Sequence, residues 1–214
     1  RSSTAAFPIM GSPTPKLICL TGGPCGGKTS AMTRLKEHFT SIEYRVYKVP
    51  EAATMLWESG CTPSDLGVRE NRVAFQCALM RLQMQLEDGL AMIAQQIGGN
   101  AVLLCDRGLM DGKAYMQEDE WADVLARNSV TEAQINGGRY TAVVHLVTAA
   151  DGAAEYYVMS ETRREQPLEA VAVDKKTQAV WADHPAHQIF GNGTDFEGKL
   201  RNVVASIADI VTAK

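Results

Sequence analysis

The sequence lacks long hydrophobic runs. No stretch of eighteen consecutive apolar residues occurs in the 214-residue chain, whereas a membrane-spanning helix needs about twenty. The opening stretch RSSTAAFPIMGSPTP, residues 1–15, has no apolar centre such as a secretory signal peptide requires. We therefore expect a soluble, cytoplasmic protein without a transmembrane segment.

The sequence also lacks paired cysteine motifs and an excess of positive charge. The five cysteines are odd in number and show no C-x-x-C spacing, which argues against a disulfide framework or a zinc site and favours reduced thiols. The formal net charge is -4 and the sequence pI is about 5.6. Nucleic-acid and anionic-membrane binding rely on a basic surface, so we expect no nucleic-acid partner.

The composition does support one substantial hydrophobic core, since 45% of the residues are hydrophobic and 21% are charged. We predict a single domain over residues 16–214. Residues 1–15 are expected to form a flexible segment outside it. The chain opens on Arg1 rather than Met, which fits either residues added for expression or a trimmed chain.

Five short apolar runs alternate with helical patterns. They lie at residues 17–20, 44–49, 101–105, 142–147 and, more weakly, 187–190. Continuous apolar strands separated by helices are typical of a parallel sheet that is covered on both faces. The sequence therefore predicts a three-layer α/β fold with a five-stranded parallel sheet.

The clearest helical pattern ends at Gly98. Its apolar residues recur at spacings of three and four, which predicts one buried stripe. The stripe consists of Phe75, Leu79, Leu82, Leu86, Leu90, Ile93 and Ile97.

The stretch KLICLTGGPCGGKTS, residues 16–30, runs a predicted strand into four glycines and a lysine. Gly22, Gly27, Lys28 and Thr29 match G-x-x-x-x-G-K-[ST] between a strand and a helix, which is the P-loop pattern. Glycines let successive backbone N–H groups turn towards phosphate oxygens, and the helix start adds its positive dipole end. The sequence therefore predicts a nucleotide-binding loop.

Within this loop, Lys28 is expected to reach the β- and γ-phosphates and Thr29 to ligate Mg²⁺. The ligand of the loop is expected to be a nucleotide. The residues expected to contact it are Gly22, Gly23, Pro24, Cys25, Gly26, Gly27, Lys28, Thr29 and Ser30.

The stretch AVLLCDRG ends the third predicted strand with an acidic and a basic residue. P-loop proteins use an acidic residue at such a strand end to orient the metal, so Asp106 is the second candidate Mg²⁺ ligand. Arg107 could bind a phosphate or a substrate oxygen through charge-assisted hydrogen bonds. An ion pair that merely caps the strand is the alternative. Asp111 is a weaker candidate, which could simply begin a helix.

The chain lacks the signatures of a regulatory GTPase, because no Asn is followed by Lys and no D-x-x-G follows the third strand. Small-molecule kinases instead place an acceptor pocket opposite the P-loop. Candidates for that pocket are Glu51, Gln76 beside Phe75, and Arg107. Glu51 could act as a base towards a hydroxyl group or could be a helix-start acid. Gln76 could read an acceptor base or could face solvent.

Nucleotide and nucleoside kinases also carry an arginine lid over the phosphates. Arg163 and Arg164 in SETRREQP are the lid candidates. A solvated charge cluster with Glu161 and Glu165 is the alternative.

The GNG loop that follows the fifth strand is a candidate nucleotide-base site. Asn192 is expected either to contact the base or to serve the turn geometry. Thr194 and Glu197 have capping-box spacing, which predicts a last helix that begins near Asp195. That helix is expected to bury Leu200, Val203, Val204 and Ile207.

Several stretches together carry a family resemblance: LTGGPCGGKT, VPEAAT, FQ, CDRG, AVWADHP and NGTDFEGKL. From residue 16 to about 210, the chain resembles the AAA-like P-loop NTPase domain shared by the TRPL translocation defect protein fourteen family and the ribosylnicotinamide-kinase part of the NadR proteins. The resemblance implies binding of ATP or GTP. It also implies phosphoinositide binding and a role in membrane-protein trafficking, or a kinase acting on nicotinamide riboside. Longer members continue into a second domain similar to triphosphate-tunnel phosphatases, whose functions are not carried over.

Two functions remain open at this stage. One is a Mg²⁺-dependent kinase in which Lys28 and the arginines stabilise charge while Glu51 or Asp106 orients the hydroxyl group of a small acceptor. The other is a nucleotide-dependent module that binds a phosphoinositide or a protein partner. Both functions require a nucleotide, but only the kinase requires an acceptor.

Overall fold

A computed structural model describes residues 14–153 and 166–213. Five strands in these residues form one parallel sheet in the order β2-β3-β1-β4-β5. The strands are β1 (Lys16–Gly22), β2 (Arg45–Val49), β3 (Ala101–Asp106), β4 (Ala142–Leu146) and β5 (His187–Phe190). Each matches a predicted run to within two residues, which confirms the predicted α/β sheet.

Helices cover both faces of this sheet. Those in the described ranges are α1 (Lys28–Ser41), α2 (Ala52–Glu58), α3 (Arg69–Ile97), α4 (Glu118–Asn128), α5 (Glu132–Gln134), α6 (Pro167–Ala179) and α7 (Phe196–Thr212). Short 3₁₀ turns at Pro63–Gly67 and Asp111–Tyr115 and a π turn at Ile135–Arg139 join them. None of these helices is both long enough and apolar enough to cross a bilayer.

Alternation along the central strands separates two hydrophobic cores. Ile18 and Leu20 of β1 join one core, which includes residues of α1 and α7, whereas Cys19 joins the other, which includes residues of α3 and α4. Successive strand residues point to opposite faces of a sheet. All five residues of β4 are buried, but β5 at the edge is only partly buried. This difference explains why the run at 187–190 is the weakest in the sequence.

The predicted stripe of α3 is confirmed only in part, since its first five residues are half-buried but its last two are exposed. Ile93 and Ile97 are 45% and 51% exposed. The residues that α3 buries are Val73, Cys77, Met80, Gln83, Glu87 and Ala94. The helix is apolar on more than one side and its most deeply buried face includes two polar residues, so the spacing of apolar residues alone did not locate that face.

The last helix begins where it was predicted, but its cap differs. Asp195 is the N-cap, and its carboxylate accepts a hydrogen bond from the Gly198 N–H at 2.6 Å. Glu197 instead forms an ion pair with Arg34 at 2.9 Å. The Thr194–Glu197 capping box is therefore wrong, because the neighbouring aspartate supplies the cap. Of the predicted apolar face, Val204 is partly buried and the other three residues are buried.

The sheet order brings three strand ends together. β1 lies between β3 and β4, with Leu20 beside Asp106 and Gly22 beside Leu146. In parallel sheets ligands bind at the carboxyl ends of the strands. The P-loop, the loop after β3 and the loop after β4 therefore leave the sheet at the edge where a ligand is expected.

Candidate functional site

The loop between β1 and α1 is a tight turn in which several residues have positive φ. Gly22, Cys25 and Gly27 have φ values of 126°, 55° and 95°. The Gly26 N–H donates to the Gly23 carbonyl at 3.3 Å, and the Gly27 carbonyl accepts the first helical hydrogen bond of α1. Residues that carry a Cβ atom rarely adopt positive φ. Glycines at 22 and 27 are therefore needed for the backbone conformation of the loop.

Close protein contacts behind the loop also require glycine. A Cβ atom added to Gly22 would lie 2.1 Å from the Leu146 carbonyl oxygen, and one added to Gly26 would lie 2.4 Å from the same oxygen. A Cβ atom on Gly23 would lie 2.6 Å from a carboxylate oxygen of Asp174. The loop therefore packs directly on β4 and α6, a constraint that the phosphate-binding interpretation of the motif does not include.

Lys28 lies half-buried at the start of α1. Its ammonium group donates to the carbonyl oxygens of Gly22 and Gly23, each at 3.2 Å. Burial, and then the positive charge of Arg107, lower the pKa of Lys28 to about 8, although Asp106 and Glu51 act in the opposite direction. The lysine therefore lies where an added anion would strongly favour its charged form.

Arg107 turns back from the end of β3 towards the P-loop. Its backbone has a φ of 75°, and its N–H donates to the Leu20 carbonyl. The guanidinium group donates to the Gly22 carbonyl at 2.8 Å and lies 3.4 Å from Glu51 and 3.6 Å from Asp111. Burial opposes its charge, but the surrounding acids outweigh burial and raise the pKa of Arg107.

Two of the predicted acids lie close enough to affect each other. Asp106 ends β3, and its pKa is raised first by burial and then by the Glu51 carboxylate. Glu51 occupies the N-cap position of α2, but its side chain does not cap the helix. It accepts instead from the Thr54 hydroxyl at 2.7 Å and from Arg107 Nε at 3.4 Å. The fold thus brings Glu51 to the same strand edge as Arg107 and Asp106.

Asp111 is more central than the sequence indicated. It is 6% exposed, and it accepts hydrogen bonds from the Thr21 hydroxyl at 2.8 Å and from Trp181 Nε1 at 2.6 Å. Its Oδ2 oxygen, which the Thr21 hydroxyl also reaches, lies 3.6 Å from the Arg107 guanidinium group. Instead of merely beginning a helix, Asp111 holds Arg107 beside β1. In the sequence, the only local sign of this ion pair was the position of Asp111 four residues after Arg107.

Gln76 is half-buried and faces the turn that follows β3. A Cβ atom added to Gly112 would lie 2.6 Å from Gln76 Oε1. The adjacent Phe75 stacks on Trp57 of α2, with 4.3 Å between the ring centroids. Sequence reasoning did not identify Trp57, because nothing local links it to α3.

Asn192 uses its side-chain amide within the protein. The amide nitrogen donates to the Thr148 and Asp151 carbonyl oxygens at 2.8 and 2.6 Å, and the amide oxygen accepts from Lys199 at 2.9 Å. These contacts join the loop after β4 to the loop after β5. They account for the asparagine without a nucleotide base, so contact with a base remains a prediction.

Four predicted site residues remain, two at the start of α1 and two in the expected lid. Thr29 is exposed at the start of α1, and Ser30 is half-buried beside it. Arg163 and Arg164, the lid candidates, lie outside the described residues, and the lid remains a prediction.

The magnesium site expected at this edge stays a prediction. Mg²⁺ binds through one or two carboxylates together with phosphates and water. Thr29 and Asp106 supply a hydroxyl group and a carboxylate of this kind. Within residues 14–153 and 166–213, no group of three or more His, Cys, Asp or Glu side chains could hold a metal by itself. A metal here would therefore depend on phosphate oxygens.

Comparison with known proteins agrees with this geometry. A family model described as "AAA domain" matches residues 17–199, which extend from β1 into α7. No curated protein matches the chain. The matched region covers well over half of the sequence and includes the P-loop, the end of β3 and α6. Domains of this type bind nucleotides, usually with Mg²⁺. The chain therefore belongs to this AAA-domain family and carries a P-loop NTPase domain.

Proposed function

We propose that this domain binds a purine nucleoside triphosphate, ATP or GTP, with Mg²⁺ and transfers its γ-phosphoryl group to a small acceptor that bears a hydroxyl group. Nucleosides and nicotinamide riboside are the acceptors to test first. The observation that carries the proposal is the grouping of Arg107 and Glu51 beside Gly22 of the P-loop. The loop thus has a carboxylate and a guanidinium group on its flank.

Phosphate binding follows from the charges at the loop. The ammonium group of Lys28 bonds two neutral carbonyl groups. Phosphate oxygens are stronger acceptors because they are ionised. The triphosphate would therefore compete for Lys28, and the backbone N–H groups at the start of α1 would favour the same anion.

Thr29 and Asp106 are the residues that would hold the metal. Mg²⁺, when bound, neutralises part of the negative charge on the phosphate oxygens. The pKa of Asp106 is raised first by burial and then by repulsion from the Glu51 carboxylate, so its negative charge is disfavoured. A divalent cation would relieve that repulsion, which supports metal binding at this position.

The transfer step needs a positioned hydroxyl group. In the proposed step, the acceptor oxygen bonds to the γ-phosphorus, the bond to the bridging oxygen breaks, and a nucleoside diphosphate leaves. Glu51 receives the proton of the hydroxyl group, with Asp106 as the alternative carboxylate. Lys28 and Arg107 stabilise the charge on the transferred group. Arg163 and Arg164 are the proposed lid.

The stacked rings of Trp57 and Phe75 lead us to propose an acceptor with a planar ring. Their rings stack with 18° between the planes. Gln76 lies next to Phe75 and carries both a donor and an acceptor group for the edge of such a ring. Together with Glu51 and Arg107, Gln76 forms the proposed acceptor pocket.

A second candidate is a nucleotide-dependent module that recruits a phosphoinositide or a protein partner. It is favoured by the contacts of Arg107, whose guanidinium group already bonds Gly22 and faces both Glu51 and Asp111. An arginine with three partners can fix the loop without taking part in chemistry. In this case the same pocket binds a nucleotide but has no acceptor.

The finer family assignment is also a proposal. The motifs that resemble the TRPL translocation defect protein fourteen and NadR families lie at the P-loop, at the ends of β2 and β3, within α3, after α6 and at the start of α7. This distribution supports the proposed P-loop domain over residues 16–214.

A transfer assay distinguishes the two functions. The full chain is incubated with Mg²⁺ and γ-labelled ATP or GTP, together with each nucleoside or nicotinamide riboside. Labelled acceptor phosphate supports the kinase. Micromolar or tighter nucleotide binding without transfer to any acceptor supports the module. Absence of binding to either nucleotide would contradict both functions.

A further inference from the structure

A buried carboxylate lies directly behind the P-loop. Asp174 of α6 is 2% exposed, and no motif in the sequence marks it. One oxygen, Oδ1, accepts from the Gly23 N–H at 2.5 Å and from the Thr148 N–H at 3.2 Å. The same oxygen lies 3.2 Å from Nε2 of the buried His145. Three groups that are far from Asp174 in sequence therefore converge on a single atom.

The same part of the loop is also held from the end of β4. Thr148, which is fully buried, donates its hydroxyl hydrogen to the Pro24 carbonyl at 2.5 Å. The N–H of Gly23 and the carbonyl of Pro24 are therefore both bound by groups outside the loop. A Cβ atom at position 23 would lie within 3 Å of Asp174 and of Thr148, so this contact has no room for a larger residue.

Gly23 connects this contact to the phosphate-binding lysine. Asp174 accepts from the N–H of Gly23, and Lys28 donates to the carbonyl of the same residue at 3.2 Å. Burying a carboxylate is costly unless its hydrogen bonds are made. Here one of those bonds fixes the orientation of the peptide that precedes the α1 turn.

We propose that Asp174 is a positioning residue for nucleotide binding, which holds Gly23 so that the P-loop and Lys28 keep the geometry that a triphosphate requires. In this proposal α6 contributes to the nucleotide site through the backbone of the P-loop. The inference rests on the proposed nucleotide binding. It assigns the hydrogen-bond acceptor at a fixed position, and not the negative charge, as the important property of Asp174.

Three variants separate position from charge. Asp174→Asn keeps an oxygen that can accept from Gly23 and Thr148 but removes the charge. Asp174→Glu keeps the charge but moves the carboxylate by one methylene group. Asp174→Ala removes both properties. Thr177→Val is the control, because Thr177 is a fully buried residue of the same helix whose hydroxyl bonds only the Val173 carbonyl among the contacts described.

The measurements are calorimetric titration with Mg-ATP and Mg-GTP and the melting temperature of each variant. We expect Asp174→Ala and Asp174→Glu to bind nucleotide about tenfold more weakly, the scale of one buried hydrogen bond to a charged group. Asp174→Asn should bind within about threefold of the parent protein. Thr177→Val should lower the melting temperature but leave the affinity unchanged.

Other outcomes overturn the proposal in identifiable ways. If Asp174→Ala lowers only the melting temperature, Asp174 is purely structural. If Asp174→Ala does not fold, the Asn and Glu variants decide: parental affinity in Glu with a loss in Asn would assign the effect to charge. If the parent protein binds neither nucleotide, the proposed function fails. If the parent binds and all three Asp174 variants bind equally well, only this inference fails.

Discussion

The two sides of the proposed site are built differently. The P-loop side, residues 22–30, is one continuous stretch whose backbone makes the turn. The acceptor side takes Glu51 from the start of α2, Gln76 from α3 and Arg107 from the end of β3. A local motif therefore reveals the first side, whereas the second side exists only when distant elements pack correctly.

The acceptor side depends on polar groups that lie behind it. Gln83 of α3 donates to the carbonyl of Arg107 at 3.4 Å and to the buried Glu87 at 2.7 Å. Tyr140 donates to Glu87 at 2.8 Å and accepts from the Leu109 N–H at 3.0 Å. The loop that carries Arg107 is thus held by a buried network. The comparison teaches that Arg107, on the acceptor side, is positioned partly by residues that do not touch it, such as Glu87, which acts through Gln83.

The largest expected effect is on the P-loop side. Lys28→Ala should abolish measurable binding of Mg-nucleotide, because the triphosphate charge would lose its main counter-charge in the loop. Lys36→Ala on the exposed face of α1 is the matched control and should bind like the parent protein. Calorimetry measures both variants. Parental affinity in Lys28→Ala would remove the P-loop from the nucleotide site.

The next largest effect tests the network behind the acceptor side. Glu87 has no exposed side-chain surface, and besides Gln83 and Tyr140 it accepts from Arg139 at 2.5 Å. Glu87→Ala leaves these donors without their acceptor, so we expect the free energy of unfolding to fall by about 3 kcal/mol or more. Denaturant titration measures this loss. Asp88→Ala, which removes an exposed partner of the same Arg139, should cost less than about 1 kcal/mol.

A loss below 1 kcal/mol in Glu87→Ala would show that the network does not support this side of the site. Burial raises the pKa of Glu87, although its hydrogen-bond partners and Arg139 oppose the shift. Glu87→Gln, which keeps an acceptor oxygen, should therefore be less damaging than Glu87→Ala.

A smaller effect is expected from Glu51→Gln, which tests the acceptor side directly. The change preserves size and hydrogen bonding but removes the charge. For a kinase we expect unchanged nucleotide affinity and a loss of phosphate transfer on the order of a hundredfold, the usual scale for a general base. Glu58→Gln, on the same helix but exposed, is the control.

The melting temperature of Glu51→Gln gives the opposing outcome. A fall of several degrees, without a specific loss of transfer, would make Glu51 a helix-start residue. The acceptor side would then lose its strongest member and the binding module would be favoured.

The sequence predicted the parts of the fold that depend on neighbouring residues. Strand positions follow from apolar runs, and the P-loop follows from its spacing. The buried face of α3 could not be found in the same way, since Gln83 and Glu87 are polar and become buried only through Arg139 and Tyr140. Periodicity counts apolar residues, and it cannot foresee a polar network between distant elements.

The same limit applies to the site. Asp111 was underestimated because its partners Thr21 and Trp181 lie 90 and 70 residues away in sequence. Asp174 was missed because it contacts Gly23 across 151 residues. Contacts of this kind leave no local spacing, so only the folded chain reveals them.

The smallest expected effect is a pH dependence on the P-loop side. The pKa of Lys28 is about 8, because burial and then Arg107 disfavour its positive charge. Above that pH the protein without nucleotide loses the proton, whereas a bound triphosphate favours the charged form, so binding must take up a proton. Affinity should therefore fall about tenfold between pH 7 and pH 9. Calorimetry at pH 8.5 in buffers of different ionisation enthalpy should show uptake of most of one proton. Lys199 also has a pKa of about 8, but it is unchanged in Lys28→Arg, where the pH dependence should disappear. A dependence that persists in Lys28→Arg would assign the titration to another group.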